Sequence, residues 1–228
     1  MSSSCPTAAS TVRRGGSWRA STSDRRAPAY TGRVIDDADH LPLFPLRTVL
    51  VPGAALGLRV FEPRYLDLVR ECGRRGTGFG VCLILDGDEV GVPATPAGFG
   101  TEAVIEDFDI GGDGLLALRV RGARRFQVRR TRVRDNGLIM ADVAWRTPDP
   151  VVDLQPEHAL LGIVLRKILE QIDGADQVFP EPHFDDAAWV GWRLAELLPL
   201  EQPQRQQLLR LDDPDERLET LLRLVDDE

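Results

Sequence analysis

Residues able to support chemistry are few in this chain, and its single lysine decides the first question. A phosphate-binding loop needs a glycine-rich turn whose N–H groups wrap the phosphates, with a lysine that reaches the terminal ones. Lys167 is the only lysine, and it follows Arg166 inside an apolar helical pattern with no GxxxxGK segment ahead of it. The sequence therefore excludes a nucleotide site of the P-loop type.

Two cysteines and one histidine are the candidates for a nucleophile or a general base. Cys82 lies in the apolar run VCLIL, Cys72 lies in a helical pattern, and His158 follows Glu157 at the start of another helix. Free cysteines are commonly buried and pack like small apolar side chains, and the sequence places no Cys or Ser beside His158. We expect two buried thiols, a solvated histidine and no catalytic residue, so the chain is predicted not to be an enzyme.

The segment EPHFDD, residues 181–186, is the one cluster with metal-compatible side chains, and it contains His183. Pro182 fixes an extended geometry there. Asp185 or Asp186 suits the N-cap of the helix that follows, which accounts for the acids without a metal. A second His or Cys at ligand spacing is missing. We therefore predict no metal site and no cofactor.

Arginines are concentrated in residues 119–134, where strand alternation would place several of them on a common face. Phe126 is the only aromatic residue in this segment, so it lacks the stacking platforms of nucleic-acid binders. We expect a solvated outer face that pairs with acids of neighbouring strands, and RNA binding through these strands is the alternative. The arginines concerned are Arg119, Arg121, Arg124, Arg125, Arg129, Arg130, Arg132 and Arg134.

Charge is distributed unevenly along the sequence. The chain has a formal net charge of −8, although its first 33 residues carry six arginines and one acid, Asp24. Residues 1–38 are rich in Ser, Thr, Arg, Gly and Ala without periodicity, which predicts a disordered basic tail. A basic arm or a transit peptide is the functional alternative. The remainder is acidic, which argues against a nucleic-acid partner because phosphate contacts need a basic face.

The cellular compartment is inferred from cysteines and apolar runs. The three cysteines form no CxxC pair, as is typical of a reducing compartment. No apolar run approaches the roughly 20 residues that span a bilayer, and the N-terminus lacks the apolar block of a secretory signal. We predict a cytoplasmic protein without a membrane partner.

Apolar periodicity divides the rest of the chain into a β-rich part, residues 39–150, and a helical part, residues 151–228. The first strand, residues 41–46, contains Pro42 and Pro45, which indicate an edge or bulged strand because proline cannot donate to a ladder. The further expected strands are 56–60, 99–110, 115–121, 123–134 and 138–146, with turns at Gly122 and Asn136-Gly137. A hairpin is expected to turn at Asp86-Gly87, with its return strand directly after the turn. The expected helices are 63–75, 160–174, 186–198, 202–211 and 214–226. Closely spaced strands followed by helices predict an α+β chain with a small barrel.

Three stretches in order carry a family resemblance. LPLFPLRTVLVPG at 41–53, LRVFEPRYLDLV at 58–69 and GFGVCLIL at 78–85 are similar to the N-terminal domain of the Lon protease family in its free-standing bacterial form. The similarity continues through the arginine-rich strands and the helical tail, over roughly residues 40–226. It implies a PUA-like β-barrel with one inserted helix, followed by a C-terminal helical bundle.

The resemblance also implies a function. In the parent proteases this domain engages substrate polypeptides, so we expect a non-catalytic module that binds unfolded or exposed polypeptide segments, or a protein partner, as an adaptor in protein quality control or proteolysis. A Ser-Lys catalytic pair needs a desolvated lysine, and Lys167 lies off the apolar stripe. The expected contacts are apolar packing and strand-edge hydrogen bonds.

Six residues match the most recognisable positions of the family and are nominated as a partner-binding surface: Pro45, Arg47, Phe61, Glu62, Arg64 and Tyr65. A structural role is the alternative for four of them. Phe61 and Tyr65 would then belong to the core, because apolar residues at element junctions usually pack. Glu62 and Arg64 would hold the turn from strand to helix.

Overall fold

A computed structural model describes residues 40–179 and 182–226, so the predicted tail at 1–38 and Glu181 of the EPHFDD segment lie outside the described residues. None of the helices within this part is long and apolar enough to cross a membrane. The strands are β1 (His40–Leu46), β2 (Ala55–Val60), β3 (Phe79–Asp86), β4 (Thr95–Ile110), β5 (Leu116–Val133) and β6 (Ile139–Trp145), and the helices are α1 (Pro63–Arg75), α2 (Ala159–Glu170), α3 (Ala175–Val178), α4 (Ala187–Leu197), α5 (Gln202–Arg210) and α6 (Pro214–Asp226).

The six strands form one mixed sheet in the order β2-β5-β4-β3-β1-β6. A further pairing between β5 and β6 brings five of the strands into a barrel-like ring that is not evenly closed. β5 makes this possible by its length, because its first half pairs with β2 and its second half pairs with β6. β2 therefore lies outside the ring, at the end of the sheet.

The position of β1 differs from the sequence expectation. The prolines predict an edge or a bulged strand, but β1 lies inside the sheet between β3, to which it is parallel, and β6, to which it is antiparallel, and both pairings run without a register shift. The β6 partners end at Pro42 and the β3 partners begin at Leu43. Each half of β1 is thus paired mainly on one side, which accommodates prolines inside the sheet.

Two predicted turns need correction. Gly122 does not turn the chain, because β5 continues through it. The glycine is needed for a close approach: its N–H donates to the carbonyl of Ala54 at 2.9 Å, and an added Cβ would lie 2.3 Å from the carbonyl oxygen of Val51. The hairpin at Asp86-Gly87 is also longer than predicted, since residues 87–94 form a loop and the return strand begins at Thr95.

The five predicted helices are present, but α2 ends at Glu170 rather than near Gly174. Gly174 instead precedes α3. Pro63 starts α1, and Gly76 ends it with a φ of 64°. The side chain of Asp186 caps α4 by accepting a hydrogen bond from the N–H of Ala188, and Asp213 accepts from the N–H of Asp215 at the start of α6. The short helix α3 was not predicted.

One apolar core joins the strands to the helices, with Phe79 and Leu118 of the sheet in the same cluster as Leu165, Leu194 and Leu218. A second, smaller cluster around Phe126 is formed by side chains of β1, β3, β5 and β6. The division into parts at 39–150 and 151–228, the PUA-like barrel and the C-terminal bundle stay predictions.

Both cysteines of the described part are buried, as predicted. Burial raises the pKa of Cys72 to about 11 and raises the pKa of Cys82 still further, so neither thiol is a ready nucleophile. The prediction for His158 was wrong. A 3₁₀ turn at Pro156–His158 folds this side chain inward to 3% exposure, with its Nδ1 3.7 Å from Asp215 of α6.

Close packing around β4 generates a stability prediction. A Cβ at Gly100 would lie 2.4 Å from the carbonyl oxygen of Val81 and 2.6 Å from Phe126, whereas a Cβ at Gly98 meets nothing within 4 Å. Gly100→Ala should lower the free energy of unfolding by about 1–3 kcal/mol, the usual cost of overpacking, and Gly98→Ala should change it by less than about 1 kcal/mol. Urea denaturation of the two variants measures the difference, and equal stabilities would contradict this packing.

Candidate functional site

The six nominated residues surround the junction between β2 and α1, and half of them are buried. Pro45, Arg64 and Tyr65 are buried, and Arg47 is the exposed one; Phe61 and Glu62 are half-buried. The ring of Tyr65 stacks on Phe44 with centroids 3.9 Å apart, and burial raises the pKa of its phenol to about 12.

Three of these residues hold the loop at residues 87–94. The N–H of Arg47 donates to Glu89 at 2.7 Å, and the N–H of Gly91 donates to Glu62 at 2.9 Å. Arg64 pairs with Glu62 at 2.6 Å and donates to the carbonyl of Glu89 at 3.4 Å. This geometry agrees with the structural alternative for Glu62 and Arg64, and it adds a loop that the sequence did not connect to them.

β2 presents an edge that carries free backbone groups. The carbonyl of Ala54 faces β5, where it accepts from Gly122, and the N–H of Ala55 faces the other way, where it donates to Glu196 of α4. Because successive residues of a strand alternate, the N–H and C=O groups of Gly57 and Arg59 also point away from β5. Among the described strands, β2 pairs with β5 alone.

The distal end of the β4–β5 hairpin exposes two large apolar side chains. Phe108 and Ile110 are each 70% exposed, and they lie on one face of β4 because they are two residues apart. Their cross-strand partners are Leu118, which is buried, and Leu116, which packs against the core. The apolar face of the sheet therefore extends past the core into solvent at this end.

A cleft of about 490 Å³ lies where the sheet meets the helices. Its floor comes from β5 and the segment after β6, and its walls come from the turn before β2 and from α3 and α4. The residues that line it are Pro52, Gly53, Arg121, Ala123, Arg124, Arg125, Arg146, Thr147, Pro148, Asp149, Val178, Phe179, Asp186, Ala188, Trp189, Trp192 and Arg193.

Asp149 lines the cleft and contacts side chains of three different elements. One of its oxygens lies 2.6 Å from Arg125 of β5, and the other lies 2.6 Å from the indole nitrogen of Trp192 and 2.8 Å from Arg217 of α6. Arg217 is fully buried and stacks over Trp192 at 3.7 Å. Burial lowers the pKa of Arg217 to about 10 in spite of Asp149, and it lowers the pKa of Arg125 in the same way.

The arginine-rich strands divide into three groups. Arg119 and Arg121 pair with Glu106, Arg124 pairs with Glu102 at 3.0 Å, and Arg134 pairs with Glu71, as expected for a face that contacts neighbouring acids. Arg125 departs from this pattern, because it is 4% exposed and belongs to the Asp149 cluster. The exposed arginines at the end of β5 are Arg129, Arg130 and Arg132.

The remaining candidates for chemistry are placed at the surface. Lys167 is exposed on α2, so it is not the desolvated lysine that a Ser-Lys pair requires. His183 is exposed and lies edge-on to Trp189 with centroids 6.3 Å apart. Asp186 serves as the α4 cap, which accounts for its presence in the EPHFDD segment.

The Asp149 cluster should matter strongly for stability. Asp149→Asn leaves the buried guanidinium groups of Arg125 and Arg217 without their shared counter-charge, and breaking a buried pair costs about 3–5 kcal/mol. Asp142→Asn removes a surface partner of His40 and should cost less than about 1 kcal/mol. Urea denaturation at pH 7 tests both, and a loss for Asp149→Asn as small as the control would show that the cluster does not hold the helices to the sheet.

Comparison with known proteins places this geometry in a family. The ATP-dependent protease La (LON) substrate-binding domain matches residues 40–227. The crystal structure of a Lon N-terminal domain protein from Xanthomonas campestris is 58% identical, covers 81% of this chain and 98% of that chain, and superposes with a TM-score of 0.70.

Two more distant relatives share the fold or match only part of the chain. The N-terminal domain of the Mycobacterium avium complex Lon protease shares the fold, with 20% identity, a TM-score of 0.59, and coverage of 83% of this chain and 100% of that one. Protein cereblon from Xenopus tropicalis is 30% identical over 122 residues, which are 50% of this chain and 26% of cereblon, so the alignment spans about a quarter of that relative. The resemblance read from the sequence is confirmed: the chain belongs to the LON substrate-binding domain family.

Proposed function

We propose that this protein is a non-catalytic module that binds extended segments of unfolded or partly exposed polypeptides. The observation that carries the proposal is the open outer edge of β2, where Gly57 and Arg59 turn backbone donors and acceptors away from β5. An extended segment can add to such an edge by main-chain hydrogen bonds, which depend little on its sequence. Membership in a substrate-binding family supports the same conclusion.

Apolar surface supplies the second part of the proposed contact. Unfolded segments expose apolar side chains, and Phe108 and Ile110 offer matching surface two strands away from β2. Contiguous exposed apolar surface is a mark of interaction sites, and these two side chains share one face of β4. Phe61 directly follows β2 and continues the outward series of Gly57 and Arg59, so we place it at the end of the binding edge.

Three side chains support a role as an adaptor rather than an enzyme. The thiols of Cys72 and Cys82 are buried with raised pKa values, and Lys167 is exposed. The matched family region is a substrate-binding domain. We therefore propose that the protein delivers or retains polypeptides for a separate machine of protein quality control in the cytoplasm.

The β2 edge can be tested with a matched pair of substitutions at one position. Gly57→Pro removes the outward N–H without touching the ladder to β5, and Gly57→Ala keeps that N–H, with nothing within 4 Å of the new Cβ. Gly57→Pro should weaken binding to reduced and alkylated α-lactalbumin at least about fivefold, since a hydrogen bond left unmade costs about 1–3 kcal/mol. Gly57→Ala should bind as the natural protein does.

Fluorescence anisotropy of the labelled probe measures this affinity, with folded, oxidised α-lactalbumin as the control that should not bind. Repeating the titration from 50 to 300 mM salt separates the proposal from nucleic-acid-like recognition. An affinity controlled by main-chain hydrogen bonds and apolar contact should change little, whereas counterion release would make it fall steeply. Equal binding by the two Gly57 variants would remove β2 from the proposed mechanism.

The six-residue surface is proposed in two parts, with Arg47 and Phe61 as contacts and Pro45, Glu62, Arg64 and Tyr65 as their support. Arg47→Ala should weaken probe binding at least about twofold and lower stability by less than about 1 kcal/mol, because its pair with Asp88 is exposed. Arg64→Ala should lower stability by about 2–4 kcal/mol, because it leaves the half-buried Glu62 without its partner. Denaturation and anisotropy on both variants decide the roles, and an Arg47→Ala variant with unchanged affinity would limit the surface to Phe61 and β2.

A further inference from the structure

We infer that the cleft between the sheet and the helices receives the free carboxyl end of a bound polypeptide, together with its apolar last side chain. This inference rests on the proposed function and names the part of the polypeptide that is recognised.

The charges that line the cleft are strongly unbalanced. Five arginines line it against two aspartates, Asp149 and Asp186. Both aspartates are already engaged, Asp149 by two arginines and Asp186 by the start of α4. The acids that pair with the other arginines, such as Glu102 and Glu106, do not line the cleft. The cleft is therefore suited to an anionic group and unsuited to a cation.

Several guanidinium nitrogens at the cleft have no partner among the described residues. Arg124 uses its Nε for Glu102 and stacks over Trp145 at 3.9 Å, and its two terminal nitrogens have no hydrogen-bond acceptor among the described residues. Arg146 uses its Nε and one terminal nitrogen for Asp212. Arg193 is 4% exposed, and its buried Nε has no hydrogen-bond partner in the described part of the chain. Planar donor groups of this kind match the two oxygens of a carboxylate.

The helical wall of the cleft is apolar and aromatic. Trp189 and Trp192 of α4 line it with Phe179, and Phe179 and Phe184 hold the Trp189 ring edge-on at centroid distances of 6.4 and 5.4 Å. The volume of about 490 Å³ falls in the range of pockets that enclose small ligands, so it fits a chain end better than a long segment. A ligand that combines an anion with an apolar group satisfies both walls.

The cleft also lies where a bound chain would end. Pro52 and Gly53 line it, and β2 begins two residues later at Ala55. α4 spans the two places, because Arg193 donates to the carbonyl of Pro52 and Glu196 accepts from Ala55. A segment that runs antiparallel to β2 directs its carboxyl end toward the start of β2, and hence toward the cleft. Arg193 pairs with Glu196 at 2.7 Å, which limits repulsion of an incoming carboxylate.

Two synthetic peptides test the inference with the full-length chain. Both are fluorescein-labelled ten-residue apolar sequences that end in Leu, one with a free carboxylate and the other with a terminal amide. The free acid should bind at least tenfold tighter in anisotropy titrations, because amidation removes the negative charge at the carboxyl end while both peptides keep the same label. Trp189→Leu should weaken binding of the acid and leave the weaker binding of the amide unchanged.

Arg124→Gln and Arg119→Gln form a matched pair of variants. Both residues lie on β5 and pair with a glutamate of β4, but Arg119 does not line the cleft. Arg124→Gln should reduce the preference for the free acid at least about threefold, and Arg119→Gln should leave it intact. Urea denaturation of each variant shows whether it is folded. The ratio of the affinities for the acid and the amide can also be measured on the natural protein, so this test does not depend on the folding of a variant.

The outcomes separate this inference from the proposed function. Equal binding of acid and amide, with both weakened by Gly57→Pro, overturns the carboxylate site and leaves polypeptide binding at β2 in place. A preference for the acid that survives Trp189→Leu and Arg124→Gln moves carboxylate recognition away from the cleft and overturns the inference too. Failure of both peptides and of the unfolded probe to bind overturns the proposed function itself.

Discussion

The carboxylate of Asp149 is the interaction on which the arrangement of helices and sheet depends. It joins Arg125 of β5, Trp192 of α4 and Arg217 of α6, three elements that are far apart in the chain. Removing two guanidinium groups from water is costly, as the lowered pKa values of both arginines indicate. A buried pair of this kind contributes little net stability over apolar packing. Its contribution is geometric, because only one docking of α4 and α6 satisfies all three donors.

That docking determines where the binding features lie. With Trp192 fixed to Asp149, α4 places the adjacent Arg193 against the carbonyl of Pro52 and places Glu196, one turn further on, against the N–H of Ala55. Burial lowers the pKa of Arg193 and raises that of Glu196, so each charged form depends on the other. The cleft and the first outward amide of β2 are therefore both defined by α4. A shift of α4 along the sheet would change them together.

Local features of the fold could be predicted from the sequence, and long-range ones could not. Pro63 and Gly76 define α1 within a few residues of themselves, and Asn136-Gly137 makes its turn with Gly137 at a φ of 81°. Gly122 was misread because a glycine in a strand marks either a turn or a close approach, and the difference depends on Val51, which is distant in sequence.

The same limit applies to the site. Strand alternation gives the face on which an arginine lies but not its partner, so nothing in the sequence distinguished Arg125 from its solvated neighbours. Its acceptors are Asp149 and the carbonyls of Leu209 and Leu211, the last two more than 80 residues further along the chain. The family resemblance identified Glu62 and Arg64, but the loop that they hold became evident only from the contacts with Glu89 and Gly91.

The open edge of β2 carries a risk of aggregation, because an unpaired strand edge can pair with the strands of other molecules. Here the exposure is limited. The strand has six residues, Glu196 occupies the outward amide of Ala55, and Arg59 places a charge beside the edge in a pair with Asp113. Among the residues of this strand, Gly57 and Arg59 are the ones whose outward N–H groups stay free. Such a short edge cannot support the addition of strand after strand, but it is long enough to bind one extended segment weakly. Main-chain hydrogen bonds alone give little selectivity. The module therefore becomes selective only if a second site, such as a cleft at the end of the edge, contributes to binding.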